Sequence, residues 1–159
     1  MEATAMLVQL VIDEWKKQNK KLDDVLESIP ADRFLHEMAP GKNTGIYMEG
    51  HLAAVNDGII PLIGAGTKLY PELEAIFLRS PDKSGHSFPP LAELTAAWKA
   101  VNEHLYAYIA TMQPADWLQR HTAVSETDFA KEPHRNKLNI LVNRTAHQAY
   151  HLGQLAFLK

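Results

Sequence analysis

The apolar positions of this chain keep a helical period in four stretches, and between them the pattern breaks. In the first, from about Ala3 to Ile29, Leu7, Leu10, Val11, Leu22, Val25, Leu26 and Ile29 recur at helical spacing. Lys16, Lys17, Lys20 and Lys21 take the wet side, and Pro30 is the stop. The second spans about Thr44 to Ile63. Pro40 and Gly41 mark the turn before it, Thr44 or Asn43 can cap it, and Pro61 should kink or end it ahead of Gly64 and Gly66. Its charged residues are Glu49 and Asp57, so most of its surface should be covered. The third is the most regular. Leu91, Leu94, Trp98, Val101, Leu105, Tyr108 and Met112 alternate spacings of three and four, the seam of a helix bundle, with Pro89 and Pro90 opening it and Pro114 following. The fourth runs from about Asn136 to the end. Between Leu138 and Leu158 its one charged residue is Arg144, so it should be buried on most faces, by the bundle or by a second subunit.

Two long links join these stretches. Residues 64–90 carry a short helix from about Pro71 to Leu78, and residues 113–135 form the other link. Long links in a compact domain are often functional or mobile. There is no strand-period pattern, internal repeat or low-complexity tract. The expected fold is all-α, a four-helix bundle with long connections, forming a single domain over residues 1–159.

Composition narrows the chemistry. The 159 residues are 46% hydrophobic and 22% charged, with net charge -3, which is ordinary globular composition without the basic surface that nucleic-acid binding needs. No apolar run is long enough to span a membrane. The N-terminal segment, with Glu2, Gln9, Asp13 and Glu14, lacks the order of a signal peptide, and a cytoplasmic location is expected. There is no cysteine, so disulfides, thiolate metal sites and a cysteine nucleophile are excluded. Any metal would rest on imidazole, carboxylate or water.

Eight histidines are available. His36, His86, His121 and His134 fall in expected loops, where solvation explains them, and His104 lies off the seam of the third helix, where a surface role is expected. His147 and His151 stand four residues apart on one helix, so both rings project to one side about 6 Å apart along the axis. Two imidazoles so placed can converge on one metal. Gln148 stands where a metalloprotease would need its general-base Glu, so that reading fails. The same pair also fits two polar residues at a bundle seam, each hydrogen-bonded to a neighbouring helix. Asn143, Arg144 and Gln154 share their side, with Ile140, Leu155 and Leu158 interleaved, a mixture suited to a cavity wall. His51 lies mid-helix beside Tyr47, Met48, Ala54 and Val55. Alone it reads as a buried core histidine; with the pair it makes a three-ligand site with open positions plausible.

These residues, in this order, resemble the DinB-like superfamily of four-helix-bundle metalloproteins, which includes YfiT-like metal-dependent hydrolases and bacillithiol S-transferases. The resemblance covers nearly the whole chain. It rests on the turn Pro40-Gly41-Lys42-Asn43-Thr44, on Gly50-His51-Leu52-Ala53, and on His147 and His151 followed by Leu152-Gly153-Gln154-Leu155. It implies His51, His147 and His151 as ligands of a divalent ion, nickel or zinc. It also implies a homodimer, and metal-dependent transfer or hydrolysis on a small-molecule substrate, with a low-molecular-weight thiol as a co-substrate. No thiol-binding residue maps onto this chain. Gln154 would orient a ligand or bound water, Arg144 would pair with a substrate carboxylate, and Tyr47 would donate to a ligand. Their alternatives are a surface or dimer-interface charge for Arg144 and core packing for Tyr47. Glu49, Asn56 and Asp57 are equal candidates to accept from the outward ring nitrogens of the ligands. The competing reading of the whole chain is a non-catalytic metal-binding stress-response bundle.

Overall fold

In the computed structural model, which describes residues 2–159, helix α1 runs from Ala3 to Ser28 and ends before Pro30, as expected. Its buried stripe is Val8, Ile12, Trp15, Asn19, Leu22 and Leu26. Leu7 and Leu10 instead lie outside, 59% and 58% exposed. In the N-terminal half the seam is displaced by one residue and runs on through polar Asn19, which has a partner in the core, while the expected Leu22, Leu26 and Ile29 are buried.

Thr44 caps helix α2, Gly45–Asp57, its hydroxyl accepting from the Tyr47 N–H at 3.4 Å. Nearly all of α2 is buried, as its scarcity of charge requires. The break after it comes at Gly58 and not at Pro61, which lies inside the short helix α3, Ile59–Ile63. Proline has no N–H to give the carbonyl four residues back, here that of Asp57, so the chain gives way just after Asp57. Gly64, at φ 85°, then ends α3 in the left-handed conformation that glycine tolerates. The first link carries α4, Leu73–Phe77, and the seam predicted from Leu91 becomes α5, Leu91–Ile109. The second link holds two short helices, α6, Pro114–Trp117, and α7, Glu126–Lys131, before α8, Lys137–Leu155, closes the bundle. Two 3-10 turns, Ala31–Leu35 and Ala156–Leu158, complete the helical elements, and no β-strand occurs among the described residues. No helix is long and apolar enough to cross a membrane.

Helix α1 lies along α8 and α2 along α5, while α2 also touches α8. Helix α8 departs from expectation. Only Leu141, Gln148, His151 and Leu155 are buried, and Tyr150 is 66% exposed. Its lack of charge therefore does not mean cover on most faces within this chain, since one side alone meets the bundle.

Two apolar clusters fill the interior. One gathers around Leu22, Met48, Leu52, Phe77 and Trp98, the other around Trp15, Ile59, Ile60, Val101 and Leu105. Where they meet, each of the four long helices contributes one buried amide. Gln148 Nε2 donates to Asn19 Oδ1 at 2.7 Å and to Asn56 Oδ1 at 3.0 Å, and Asn56 Nδ2 donates to Asn102 Oδ1 at 2.8 Å. Such a layer penalises any slip of one helix along another, because a slip would strand amides in hydrocarbon. Gln148→Leu should therefore cost about 2 kcal/mol, by leaving the Asn19 and Asn56 carbonyls without their donor. Urea unfolding measures this, and an unchanged midpoint would show that the layer adds nothing to stability.

The first link is tied to α2 along its length. Asp57 accepts the Leu69 and Tyr70 N–H groups at 2.8 and 3.0 Å, the Tyr47 hydroxyl donates to the Ser80 carbonyl at 2.8 Å, and Asp82 accepts from the Thr44 N–H at 2.6 Å and hydroxyl at 2.9 Å. His104 is part of the same fastening. Its Nε2 meets the Ala65 carbonyl at 3.0 Å, so it holds the link instead of facing solvent as a surface residue.

Candidate metal centre

The contact of α2 with α8 brings His51 against His147 and His151. The Nε2 atoms of His51 and His147 are 3.2 Å apart, and those of His151 and His147 are 3.0 Å apart. One ring nitrogen from each of the three lies within 4.8 Å of the others, an arrangement that can hold a metal ion. Two nitrogens bound to one ion at about 2.0–2.1 Å stand about 2.9 Å apart at a right angle and about 3.3 Å apart at the tetrahedral angle. Both Nε2 separations fall in that interval.

The Phe77 carbonyl lies 2.9 Å from His51 Nδ1. A carbonyl only accepts, so Nδ1 carries the His51 proton and Nε2 offers a lone pair. The Gln154 Oε1 atom, 2.7 Å from His151 Nδ1, fixes the same tautomer there. His147 Nε2 thus faces two lone pairs and can satisfy one of them at most with its single proton. A cation at the centre resolves the conflict by taking all three lone pairs. His147 Nδ1, which would then hold the proton, is buried without a partner in the chain.

The surroundings keep the rings neutral. His147 is pushed down to about 4, by burial first and then by His151, His51 and Arg144. Burial also lowers His51, against the pull of its bond to Phe77, and lowers His151, against the pull of Gln154. Neutral imidazole is the form that ligates.

The acceptors behind the ligands differ from those expected. Glu49 faces away from the centre and accepts the Thr95 hydroxyl at 2.7 Å; burial raises it to about 7, with Thr95 and Lys99 pulling the other way. Asn56 belongs to the amide layer and Asp57 to the first link. The true partner of His51 is the backbone carbonyl of Phe77, which also receives the Tyr47 hydroxyl at 3.3 Å. The sequence signal for it was Gly50. A Cβ at Gly50 would run into the Phe77 ring, so the bare helix surface there is what lets the Phe77 carbonyl reach His51. Tyr47 stacks on His51, with planes 13° apart, but its hydroxyl is turned to Ser80 and Phe77 and not toward the three rings.

Gln154 reaches the site through His151. On its other side it borders a groove of about 200 Å³ shared with Met38, Ala39, Lys42 and Phe157. Arg144 is partly buried near enough for its charge to act on His51 and His147. Its Nε has no partner, and no carboxylate pairs with it among the described residues. Asn143 is exposed and bonds back to the Asn139 carbonyl of its own helix.

Comparison with known proteins gives one positive finding. The sequence model of the DinB superfamily matches residues 14–155, a span holding all three histidines. No curated protein matches the chain.

Proposed function

The chain belongs to the DinB superfamily, a group associated with metal-dependent enzymes, and on that footing we propose that it is a metal-dependent transferase or hydrolase acting on a small molecule. His51, His147 and His151 hold a divalent ion, nickel or zinc, and the whole chain forms one domain around them. The observation that carries this reading is the set of convergent Nε2 atoms, two of them fixed as lone-pair donors by Phe77 and Gln154. Bound there, such an ion lowers the pKa of a thiol or water in its open positions.

The chain's own residues do the rest. The chain has no cysteine, so in the thiol reading the sulfur nucleophile comes from a low-molecular-weight co-substrate. The Phe77 carbonyl and Gln154 hold His51 and His151 in their ligating tautomers. Arg144, a guanidinium with no acid of its own, receives a substrate carboxylate. The groove beside Gln154 gives the substrate a partly apolar bed, with Lys42 adding positive charge.

In the thiol reaction the S–H proton is lost to solvent, the sulfur forms a bond to an electrophilic carbon, and the leaving group departs with the electron pair of the broken bond. Metal-loaded protein should accelerate the attack of one or more thiols from a panel on 1-chloro-2,4-dinitrobenzene, releasing chloride, above a metal-free control. Arg144→Lys should leave that neutral electrophile unaffected and slow a carboxylate-bearing one roughly tenfold. No rate above the control with any thiol, and none with water as nucleophile, would favour the non-catalytic metal-binding reading instead.

A further inference from the structure

Helix α2 also borders a cleft on the side away from the histidines. Glu49 precedes His51 by two residues and so points to the opposite face, where α1, α2 and α5 enclose a cleft of about 190 Å³. Leu26, Ile29, Phe34, Leu91 and Trp98 give it apolar walls. Cavities near this size, when lined by apolar side chains, hold a single aromatic ring.

Its polar groups are few and unevenly paired. Asp23 accepts the Trp98 indole N–H at 2.7 Å, and Lys99 lies 3.5 Å from Glu27 at the surface. Glu49, which lines the cleft, is 1% exposed. One of its oxygens accepts from Thr95, while the other, Oε2, is buried with no partner at all. An acceptor in that position lacks a hydrogen-bond donor that the chain does not supply. Three carboxyl groups, Asp23, Glu27 and Glu49, stand around the cleft against one cation, Lys99. That imbalance selects a positively charged donor over a neutral one.

We propose that this cleft binds a small primary amine with a one-ring or short-chain apolar body, its ammonium group donating to Glu49. The site is separate from the histidine centre and does not depend on the metal reading.

Calorimetric titration of the whole protein with 2-phenylethylamine, 2-phenylethanol and ethylbenzene tests it. The amine should bind with one-to-one stoichiometry and at least roughly tenfold more tightly than the other two, the difference a charge-assisted hydrogen bond makes. Glu49→Gln keeps the shape of the side chain and should lose about the same factor. An independent readout needs no variant of Glu49. In proton–nitrogen spectra of the wild type the Trp98 indole N–H, assigned through Trp98→Phe, should shift on adding the amine, while those of Trp15 and Trp117 stay in place. Equal binding of all three compounds, no binding at millimolar amine, full affinity in Glu49→Gln, or an unmoved Trp98 resonance would each overturn the proposal.

Discussion

His147→Ala should abolish tight metal binding, lowering affinity by more than about 100-fold, since loss of even an outer hydrogen-bond partner of a ligand costs about 10- to 100-fold. His147 is the hub of the trio, the ring whose Nε2 lies within 3.2 Å of both others. Its removal leaves two nitrogens on different helices with no third to complete a face. The metal-free protein should behave differently. There His147 is a desolvated ring confronting two lone pairs, held down to about 4 by burial and by its neighbours, so deleting it removes a conflict along with some packing. The melting temperature of the metal-free variant should therefore stay near that of the wild type. Wild type with free metal at 1,000 times its Kd should gain about 4 kcal/mol, and the variant should gain almost none of it. Parallel melts with and without metal separate the two effects. A large loss of stability in the metal-free variant would mean that His147 is a structural residue.

Gly50→Ala is the second large effect, at a position that touches no metal. The added methyl would overlap the Phe77 ring, which is fully buried among the core side chains. Either Phe77 moves or α2 does. Overpacking of this kind should destabilise by about 3 kcal/mol. Both movements also shift the carbonyl that orients His51, so metal affinity should fall together with stability. Gly153→Ala is the matched control. Gly153 is an exposed helical glycine with open space where the Cβ would go, and alanine there should stabilise by about 0.5–1 kcal/mol without changing affinity. If both substitutions behave alike, the close approach at Gly50 is not what positions His51.

The spacing of His147 and His151 was legible because helical geometry places residues four apart on one side. His51 was not legible by spacing, since no local rule relates its register on α2 to that of α8. The ordered resemblance around Gly50-His51 supplied that link. What was hidden has a common cause. The Phe77 carbonyl is a backbone atom that any residue at that position would supply, so only the bare surface at Gly50 could have pointed to it. Asn19, Asn56, Asn102 and Gln148 look like wet positions one at a time and become a core layer only when four helices bring them together. For the same reason the first half of the α1 seam was read one residue out of place, through Leu7 and Leu10, while Leu22, Leu26 and Ile29 were read correctly. Glu49, Asn56 and Asp57 were equal candidates to accept from the histidines, and none does, because a helix turns neighbouring residues to different sides. Pro61 did break the helix, three residues earlier than its own position, at the point where its missing N–H is felt.

The most direct test of the three-histidine centre is the metal content of purified protein after nickel or zinc loading and dialysis. It compares wild type with the variant carrying His51→Ala, His147→Ala and His151→Ala together. One ion per chain is expected in the wild type and none in the variant. A variant that keeps a full complement of metal, or a folded wild type that takes up none, would contradict the three-histidine centre.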